Sequence, residues 1–232
     1  MSRVNSATVR LIYTLLLVGV TAVWGWTFVV VQDAINAFGV LGFLALRFSL
    51  AALALAPVLL SGAKLKTLLV GGGIGLVLAA GYLFQTLGLL YTTPTNSGLI
   101  TGLFVVFAPL AARALFGELL SRRVMLAVGL SLLGMVLLAG QSPSGVRVGD
   151  ALTLGCAAAL GAHIALLSRY AREHDAGALA FAQMLSMAAL FWAMWPLFEP
   201  VFAPPPGVWP AIALTGLVAS AGAFWVQTAV QQ

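Results

Sequence analysis

Eight long apolar runs, separated by short connections, limit what this chain can fold into. They cover roughly residues 11–31, 38–60, 67–90, 94–116, 123–140, 149–170, 177–198 and 208–230. Most are long enough, as α-helices, to cross about 30 Å of hydrocarbon. Only 7% of the residues are charged, against about 25% in ordinary soluble domains, and so few charges cannot cover a soluble surface. The sequence therefore predicts an all-α, polytopic transmembrane helix bundle with eight spans.

The placement of lysine and arginine predicts how this bundle sits in a membrane. If the N-terminus is cytoplasmic, the outer connections hold only Arg147, and Arg47 lies inside the second span. The other basic residues then all lie on the cytoplasmic side: Arg3, Arg10, Lys64, Lys66, Arg113, Arg122, Arg123, Arg169 and Arg172. This positive-inside bias predicts a cytoplasmic N-terminus. The basic residues that produce the net charge of +5 are scattered among several short connections. Because they do not form one basic patch, nucleic acid is not an expected partner.

Cysteine and histidine, which many catalytic and metal sites use, are rare in this chain. Cys156 is the one cysteine, which excludes an internal disulfide and a cysteine-based metal cluster. An intramembrane enzyme needs a nucleophile with a base, or a metal cluster, at membrane depth. The two histidines are His163, within a span, and His174, in a connection. We therefore predict no enzyme activity, no metal site and no cofactor.

Two parts of the chain resemble each other, which predicts an internal repeat. Gln85-Thr86 matches Gln227-Thr228 at an offset of 142 residues, and Arg47 matches Gln183 at an offset of 136. Trp24-Gly25 falls on Leu160-Gly161 at the second offset. Five spans separate equivalent helices, an odd number, so the second copy is predicted to be inverted. Inverted repeats place a substrate site near their axis and can rock between outward-open and inward-open shapes.

The repeat divides the chain into two predicted domains. Residues 1–140 form a complete five-helix copy, and residues 141–232 form an incomplete copy that contains helices six to eight. The counterparts of residues 90–140, which would hold two further helices, are not in the sequence.

Several segments resemble one family of membrane proteins. They are LGLLYTTPTNSGLI, Pro109, the Gly117-Glu118 pair and the small-residue helix after it, with AVWGWTFVV in the first span and ALRFSLAALALAP in the second. In this order the chain resembles an EamA-like domain of the drug/metabolite transporter superfamily. The resemblance implies a carrier of two inverted five-helix copies with both termini cytoplasmic, in which Pro109 interrupts the fourth helix. Such carriers move amino acids, other metabolites or toxic compounds, often outward across the bacterial inner membrane.

The main functional hypothesis is therefore a multi-pass secondary transporter of the bacterial inner membrane that exports small organic solutes. Its partners would be a small-molecule substrate and the lipid bilayer, and homo-oligomerisation is left open. The alternative is a remnant that does not transport, or a subunit that needs a partner to complete the cavity. That alternative arises because the ninth and tenth helices of the implied carrier would line the second half of the cavity.

Arg47 is the first candidate site residue, since it lies about nine residues, or ~13 Å, into a span. A charge at that depth costs about 2.5–3.5 kcal/mol on insertion scales and should face the bundle interior or a wet cavity. It either attracts an anionic group of a substrate, such as a carboxylate, or positions helices as a structural arginine. Its counterpart Gln183 is neutral.

The other candidates are neutral polar, aromatic or titratable. Gln85, Asn96, Gln183 and Gln227 can orient a polar ligand or join helices, and Trp24, Trp26 and Tyr82 can form aromatic walls or simply pack. His163 is a candidate proton carrier or a neutral hydrogen-bonding histidine. The glycine pairs Gly71/Gly75 and Gly98/Gly102 are interpreted as close helix contacts.

Overall fold

The computed structural model describes residues 6–139 and 147–230, and every regular element in that part of the chain is helical. The α-helices are α1 (Ser6–Phe38), α2 (Val40–Leu55), α3 (Leu65–Leu89), α4 (Pro94–Thr101), α5 (Phe104–Phe116), α6 (Arg122–Ala139), α7 (Val148–Tyr170), α8 (Ala176–Phe198), α9 (Trp209–Ala213) and α10 (Ala223–Val230). A π-helical segment, Leu214–Gly222, joins α9 to α10. Short 3₁₀ turns cover Ala56–Ser61, Ala171–Glu173 and Pro206–Val208.

Six helical stretches of the described chain are long and apolar enough to cross a membrane: Val40–Leu60, Leu65–Leu89, Pro94–Phe116, Val148–Glu173, Ala176–Phe198 and Pro206–Val230. Their ends lie close to those of the predicted spans. The predicted first span falls within α1, which extends beyond it at both ends. α6 covers the predicted fifth span up to Ala139, and residue 140 lies outside the described residues. The all-α membrane bundle is therefore confirmed. The inverted repeat and the two-domain division stay predictions.

Contacts between helix ends follow the alternation expected of successive spans. At one end, Glu199 contacts the start of α2, and Thr92 donates a short hydrogen bond to Asp150. At the other end, Thr67 and His174 are hydrogen-bonded, and the rings of Phe116 and Tyr170 meet edge to face. We call these the Glu199 end and the Tyr170 end. The prediction assigns the Tyr170 end to the cytoplasm.

Two glycines of α3 allow it to lie directly against α8. A Cβ placed on Gly71 would lie 2.7 Å from Ala182 Cβ, and one on Gly75 would lie 2.6 Å from Gln183 Cα and would clash with Ser186. The packing interpretation of this pair is confirmed. It is wrong for Gly98 and Gly102: among the described residues, a Cβ placed on Gly98 would come no nearer to another helix than 3.8 Å, at Phe28, and one placed on Gly102 would meet only its own helix.

Two helices are irregular inside the bundle. The fourth span breaks at Gly102-Leu103, where Val106 donates to the carbonyl of Leu103 at 2.8 Å in a 3₁₀-type bond. The expectation that Pro109 interrupts this helix is wrong, because α5 runs through Pro109 to Phe116. The break lies about two turns earlier, at a glycine that carries no side chain to stabilise the helix. The π-helical segment is the second irregularity, and π-helices are frequent at functional sites.

The start of α2 is capped by a residue from a distant part of the chain. Gly39 links α1 to α2 with a φ of 96°, in the left-handed region that glycine tolerates. Because glycine offers no side-chain cap, the carboxylate of Glu199 accepts hydrogen bonds from the N–H groups of Val40 at 3.0 Å and Leu41 at 2.9 Å. A negative charge is also favourable at a helix N-terminus.

Replacing Glu199 with alanine is expected to lower the free energy of unfolding by about 1–2 kcal/mol, because the first N–H groups of α2 lose their acceptors. Thermal unfolding in detergent measures the effect. Glu173→Ala is the matched control, since Glu173 is an exposed glutamate at the Tyr170 end and should leave the midpoint unchanged. Equal midpoints for the two variants would contradict the capping role.

Candidate functional site

An internal cavity lies among helices from both predicted copies. Its lining comes from α1, α2, α3, α4, α5, α7 and α10: Trp24, Thr27, Phe28, Val31, Arg47, Gly81, Tyr82, Gln85, Leu89, Thr101, Phe104, Cys156, Leu160, His163, Ile164, Phe224 and Gln227. The centres of water-sized molecules can occupy about 80 Å³ of it, several times the ~10–15 Å³ that one water needs. The break at Gly102-Leu103 separates Thr101 from Phe104, and both reach the cavity. Irregular backbone at membrane depth is tolerated where it lines such a space.

Arg47 is the positively charged residue in the lining of this cavity. The side chain is only 3% exposed, and its Nε donates to Ser220 Oγ of the π-helical segment at 3.0 Å. Its guanidinium carbon lies 4.7 Å from the ring centre of Tyr82 and 5.1 Å from that of Phe48. These distances are those of cation–π contacts. Arg47 is thus held by one hydroxyl and two aromatic faces.

No carboxylate neutralises Arg47 within the described residues. Its polar partners there are Ser220 Oγ and the Tyr82 hydroxyl, which lies 3.5 Å from Nη2 at the limit of a hydrogen bond. A guanidinium has five N–H donors, so at least three of them have no acceptor from the described part of the chain. Buried charges in proteins are ordinarily paired. The arrangement is therefore suited to an anionic or strongly accepting group that enters the cavity.

Aromatic rings form one wall of the cavity around Phe224. The Phe224 ring centre lies 5.6 Å from that of Trp24, 6.2 Å from that of Tyr82 and 5.9 Å from that of His163. The Trp24 Nε1 donates to the carbonyl of Ala219 at 2.7 Å, which attaches α1 to the π-helical segment. The rings therefore hold one another in fixed orientations, and the wall is apolar apart from its edges.

Two glutamines contribute neutral polar groups. The amide nitrogen of Gln85 lies 3.3 Å from Thr101 Oγ1 and 3.7 Å from Cys156 Sγ. Gln227 also lines the cavity, and its buried Oε1 has no hydrogen-bond partner among the described residues. An unpartnered buried acceptor is costly, so this oxygen is available to a donor from water or a ligand.

His163 makes one hydrogen bond within the described chain, to the fully buried Gln183. The distance from His163 Nε2 to Gln183 Oε1 is 2.7 Å, and the amide nitrogen of Gln183 donates to the carbonyl of Leu179 at 3.2 Å. Gln183 lies behind the imidazole and does not reach the cavity.

The structure brings together six of the nine candidate residues: Trp24, Arg47, Tyr82, Gln85, His163 and Gln227. The other three, Trp26, Asn96 and Gln183, are absent from the cavity lining. Trp26 is 60% exposed on the outer face of α1, and Asn96 lies in the first turn of α4, where its N–H donates to Thr93. Whether any of the nine contacts a substrate stays a prediction.

Sequence reasoning missed several lining residues, notably Cys156 and Phe224. Helical spacing supplies the signal that could have found them. Cys156 and His163 are seven residues apart and share a face of α7, and Phe224 precedes Gln227 by three residues on α10. Once one residue of a helix is placed in a cavity, its neighbours three, four and seven positions away become candidates.

A second, more open pocket lies at the Tyr170 end, between α5 and α7. Its polar lining includes Glu118, Ser168, Arg169 and Arg172. Ile164 lines both this pocket and the internal cavity. Ile164 therefore borders both the internal cavity and the pocket at the Tyr170 end. Among the described residues, no group of three or more His, Cys, Asp or Glu side chains is placed to hold a metal ion.

The fold and the cavity define a polytopic helical membrane protein with a polar, aromatic-lined internal site. The family model described as the EamA-like transporter family matches residues 11–140. An "Uncharacterized transporter" from Archaeoglobus fulgidus is 38% identical over 171 residues, which make up 74% of this chain and 54% of the relative. The protein belongs to the EamA-like transporter family, as its sequence motifs predicted. The match spans about half the length of that relative.

A solved crystal structure of another protein has the same fold. It superposes with a TM-score of 0.69 at 22% sequence identity and covers 94% of this chain and 78% of that chain. At this identity the likeness shows the fold alone. Family and fold together establish a multi-pass membrane protein of a transporter family.

Proposed function

We propose that this protein moves small organic solutes across the bacterial inner membrane, in the outward direction, by alternating access. Amino acids, other small metabolites and drugs are the solute classes to test. Arg47, Tyr82, Gln85, Gln227 and Trp24 would contact the solute. The N-terminus would be cytoplasmic, as the positive-inside bias predicts.

The observation that carries this proposal is the buried guanidinium of Arg47 in a cavity with no carboxylate partner in the described chain. Charged groups inside a membrane are expensive and mark substrate or ion pathways. The aromatic wall around Phe224 complements the charge, because small-molecule sites are mostly apolar with a few placed polar groups. A solute with an acceptor group and an apolar body fits both features.

The pocket at the Tyr170 end supports a route for the solute. It reaches Ile164, which also borders the internal cavity. A solute that comes in at this end would require a side-chain or helix movement at Ile164, and movement at the opposite end would then release it. Rocking of one repeat against the other is the movement expected of inverted repeats.

His163 is the group we propose for proton coupling. It is the one histidine of the described chain that lines the cavity, and histidine is the side chain whose ordinary titration lies nearest neutral pH. His163→Gln is expected to weaken solute exchange without abolishing it and to remove its dependence on a pH gradient. Gradient-driven flux equal to the wild type would exclude His163 as the coupling group.

Solute flux into proteoliposomes that contain the purified protein tests the proposal. A panel of labelled amino acids, organic acids and cationic drugs is offered, with protein-free liposomes as the blank and both membrane orientations scored separately. We expect saturable flux for at least one solute with an anionic group. Absence of saturable flux for the whole panel, with folded protein in the membrane, would instead support the alternative that a partner must complete the cavity.

A further inference from the structure

The hydrogen bond between His163 and Gln183 determines which ring nitrogen of His163 carries the proton. The carbonyl of Leu179 can only accept, so the amide nitrogen of Gln183 must point to it and Oε1 must point to His163. An amide oxygen also only accepts, so Nε2 of His163 must be the donor. In the neutral ring Nδ1 is then an acceptor.

The acceptor nitrogen of His163 is available to a ligand. The ring borders the internal cavity, and Nδ1 has no hydrogen-bond partner among the described residues. The Phe224 ring meets the imidazole edge to face, with an interplanar angle of 83°. Gln183 and Phe224 therefore hold the ring from two sides, and its rotation is restricted.

We propose that Gln183 is a positioning residue that keeps His163 in the Nε2–H form, so that Nδ1 receives a hydrogen bond from the transported solute. This inference rests on the proposed transport function. The cavity then has different polarity at its two sides, with donors on Arg47 and acceptors on His163 and Gln227 that have no partner among the described residues. The solute class it fits carries an N–H or O–H donor toward His163 and an acceptor group toward Arg47.

Nitrogen-15 NMR of the full chain, labelled at histidine, tests the tautomer without any ligand. The sequence has two histidines, so His174→Gln leaves only the His163 signals. We expect a protonated Nε2 and an unprotonated, pyridine-type Nδ1. A wild-type spectrum with the proton mainly on Nδ1 would overturn the inference whatever the transport result.

The variant Gln183→Leu tests the positioning role. It leaves a buried Nε2–H without an acceptor, and the proton should move to Nδ1, because the ring borders the polar cavity. We expect the ratio of the two tautomers to shift at least about fivefold, as one hydrogen bond implies. An unchanged ratio in a folded variant refutes the positioning role, and if the variant does not fold, the wild-type spectrum decides alone.

Transport kinetics test the contact with the solute. For a solute found in the flux panel, Gln183→Leu should raise KM about tenfold, while an analogue that lacks the donor group should show the same KM in both proteins. Equal changes for solute and analogue would overturn the solute contact. If folded wild-type protein transports nothing, the proposed function fails and the solute contact fails with it, whereas the tautomer is still judged by the spectrum.

Discussion

Replacing Arg47 with methionine is expected to reduce solute flux about 100-fold or more while leaving the bundle as stable as the wild type, or more stable. Removing a buried charge from a binding site costs about 2–5 kcal/mol of affinity when the ligand loses its charged partner. Methionine keeps most of the apolar volume of the arginine stem. The flux should therefore fall for a chemical reason, not because a cavity forms.

The thermal stability of the Arg47→Met variant distinguishes a substrate-binding Arg47 from a structural one. A structural arginine would lose its hydrogen bond to Ser220 and its contacts with Tyr82 and Phe48, and the protein would unfold at a lower temperature. These contacts are worth about 1–3 kcal/mol together. Burying the charge in the membrane interior costs about 2.5–3.5 kcal/mol. Because the cost of burying the charge matches or exceeds the stabilisation from these contacts over most of the two ranges, loss of Arg47 is not expected to destabilise the protein.

Flux in proteoliposomes and thermal unfolding in detergent are measured on the same preparations. Trp26→Met is the matched control, since Trp26 lies on the exposed face of α1 outside the cavity and should keep wild-type flux. Arg47→Lys retains the charge but has fewer donors and should keep part of the flux. A clear fall in the unfolding temperature of Arg47→Met, with flux per folded molecule unchanged, would assign Arg47 a structural role.

Replacing Gly75 with alanine is expected to destabilise the bundle by about 2–3 kcal/mol. The added Cβ would clash with Ser186 and would lie 2.6 Å from Gln183 Cα, which is backbone and cannot rotate away. Helices α3 and α8 must then separate. Since membrane helices associate largely through close packing of small residues, the loss is not offset by burial elsewhere.

A glycine on the same helix provides the control. A Cβ placed on Gly73 would meet no other helix or side chain of the described residues within 4 Å, so Gly73→Ala adds the same methyl group without a contact there. Alanine is also the better helix former by about 1 kcal/mol, and this variant should be neutral or slightly stabilising. Unfolding midpoints in detergent give the comparison. If the two alanine variants unfold together, the α3–α8 contact is looser than the structure indicates.

Displacement of α8 also connects the packing of the bundle to its cavity. Gln183, which would be pushed by a side chain at residue 75, supports His163 from behind. Gly75→Ala should therefore alter the His163 tautomer signal as well as the stability. Gly73→Ala should leave that signal unchanged.

Hydropathy alone located the membrane helices, because a span must be apolar over its whole length and this is a local property of the sequence. The family could also be identified from short segments of the chain, such as LGLLYTTPTNSGLI. Arg47 stood out for the same local reason, since a charge inside an apolar run needs an explanation. For these features no knowledge of neighbouring helices was required.

The set of residues that line the cavity depended on the tertiary structure. Trp24 and Trp26 are two residues apart, yet only Trp24 faces the cavity, because residues two apart point to different sides of a helix. The rotation of a helix that is apolar on every side cannot be read from its hydropathy. Gln183 was a candidate for direct contact, and the packing of α8 behind α7 instead placed it against His163.

Features of the backbone likewise fall into those that the sequence predicted and those that only the tertiary structure showed. The sequence indicated a glycine-rich α3, but only the packing of α3 against α7 and α8 showed which of its glycines are in contact. The 3₁₀-type break at Gly102-Leu103 became visible only in the structure. The cap that Glu199 provides to α2 joins residues that are far apart in sequence. The sequence by itself determined the helices, their order and the family. The tertiary structure decided which faces meet, because contacts between uniformly apolar helices are selected by shape, and shape becomes defined only when the helices pack.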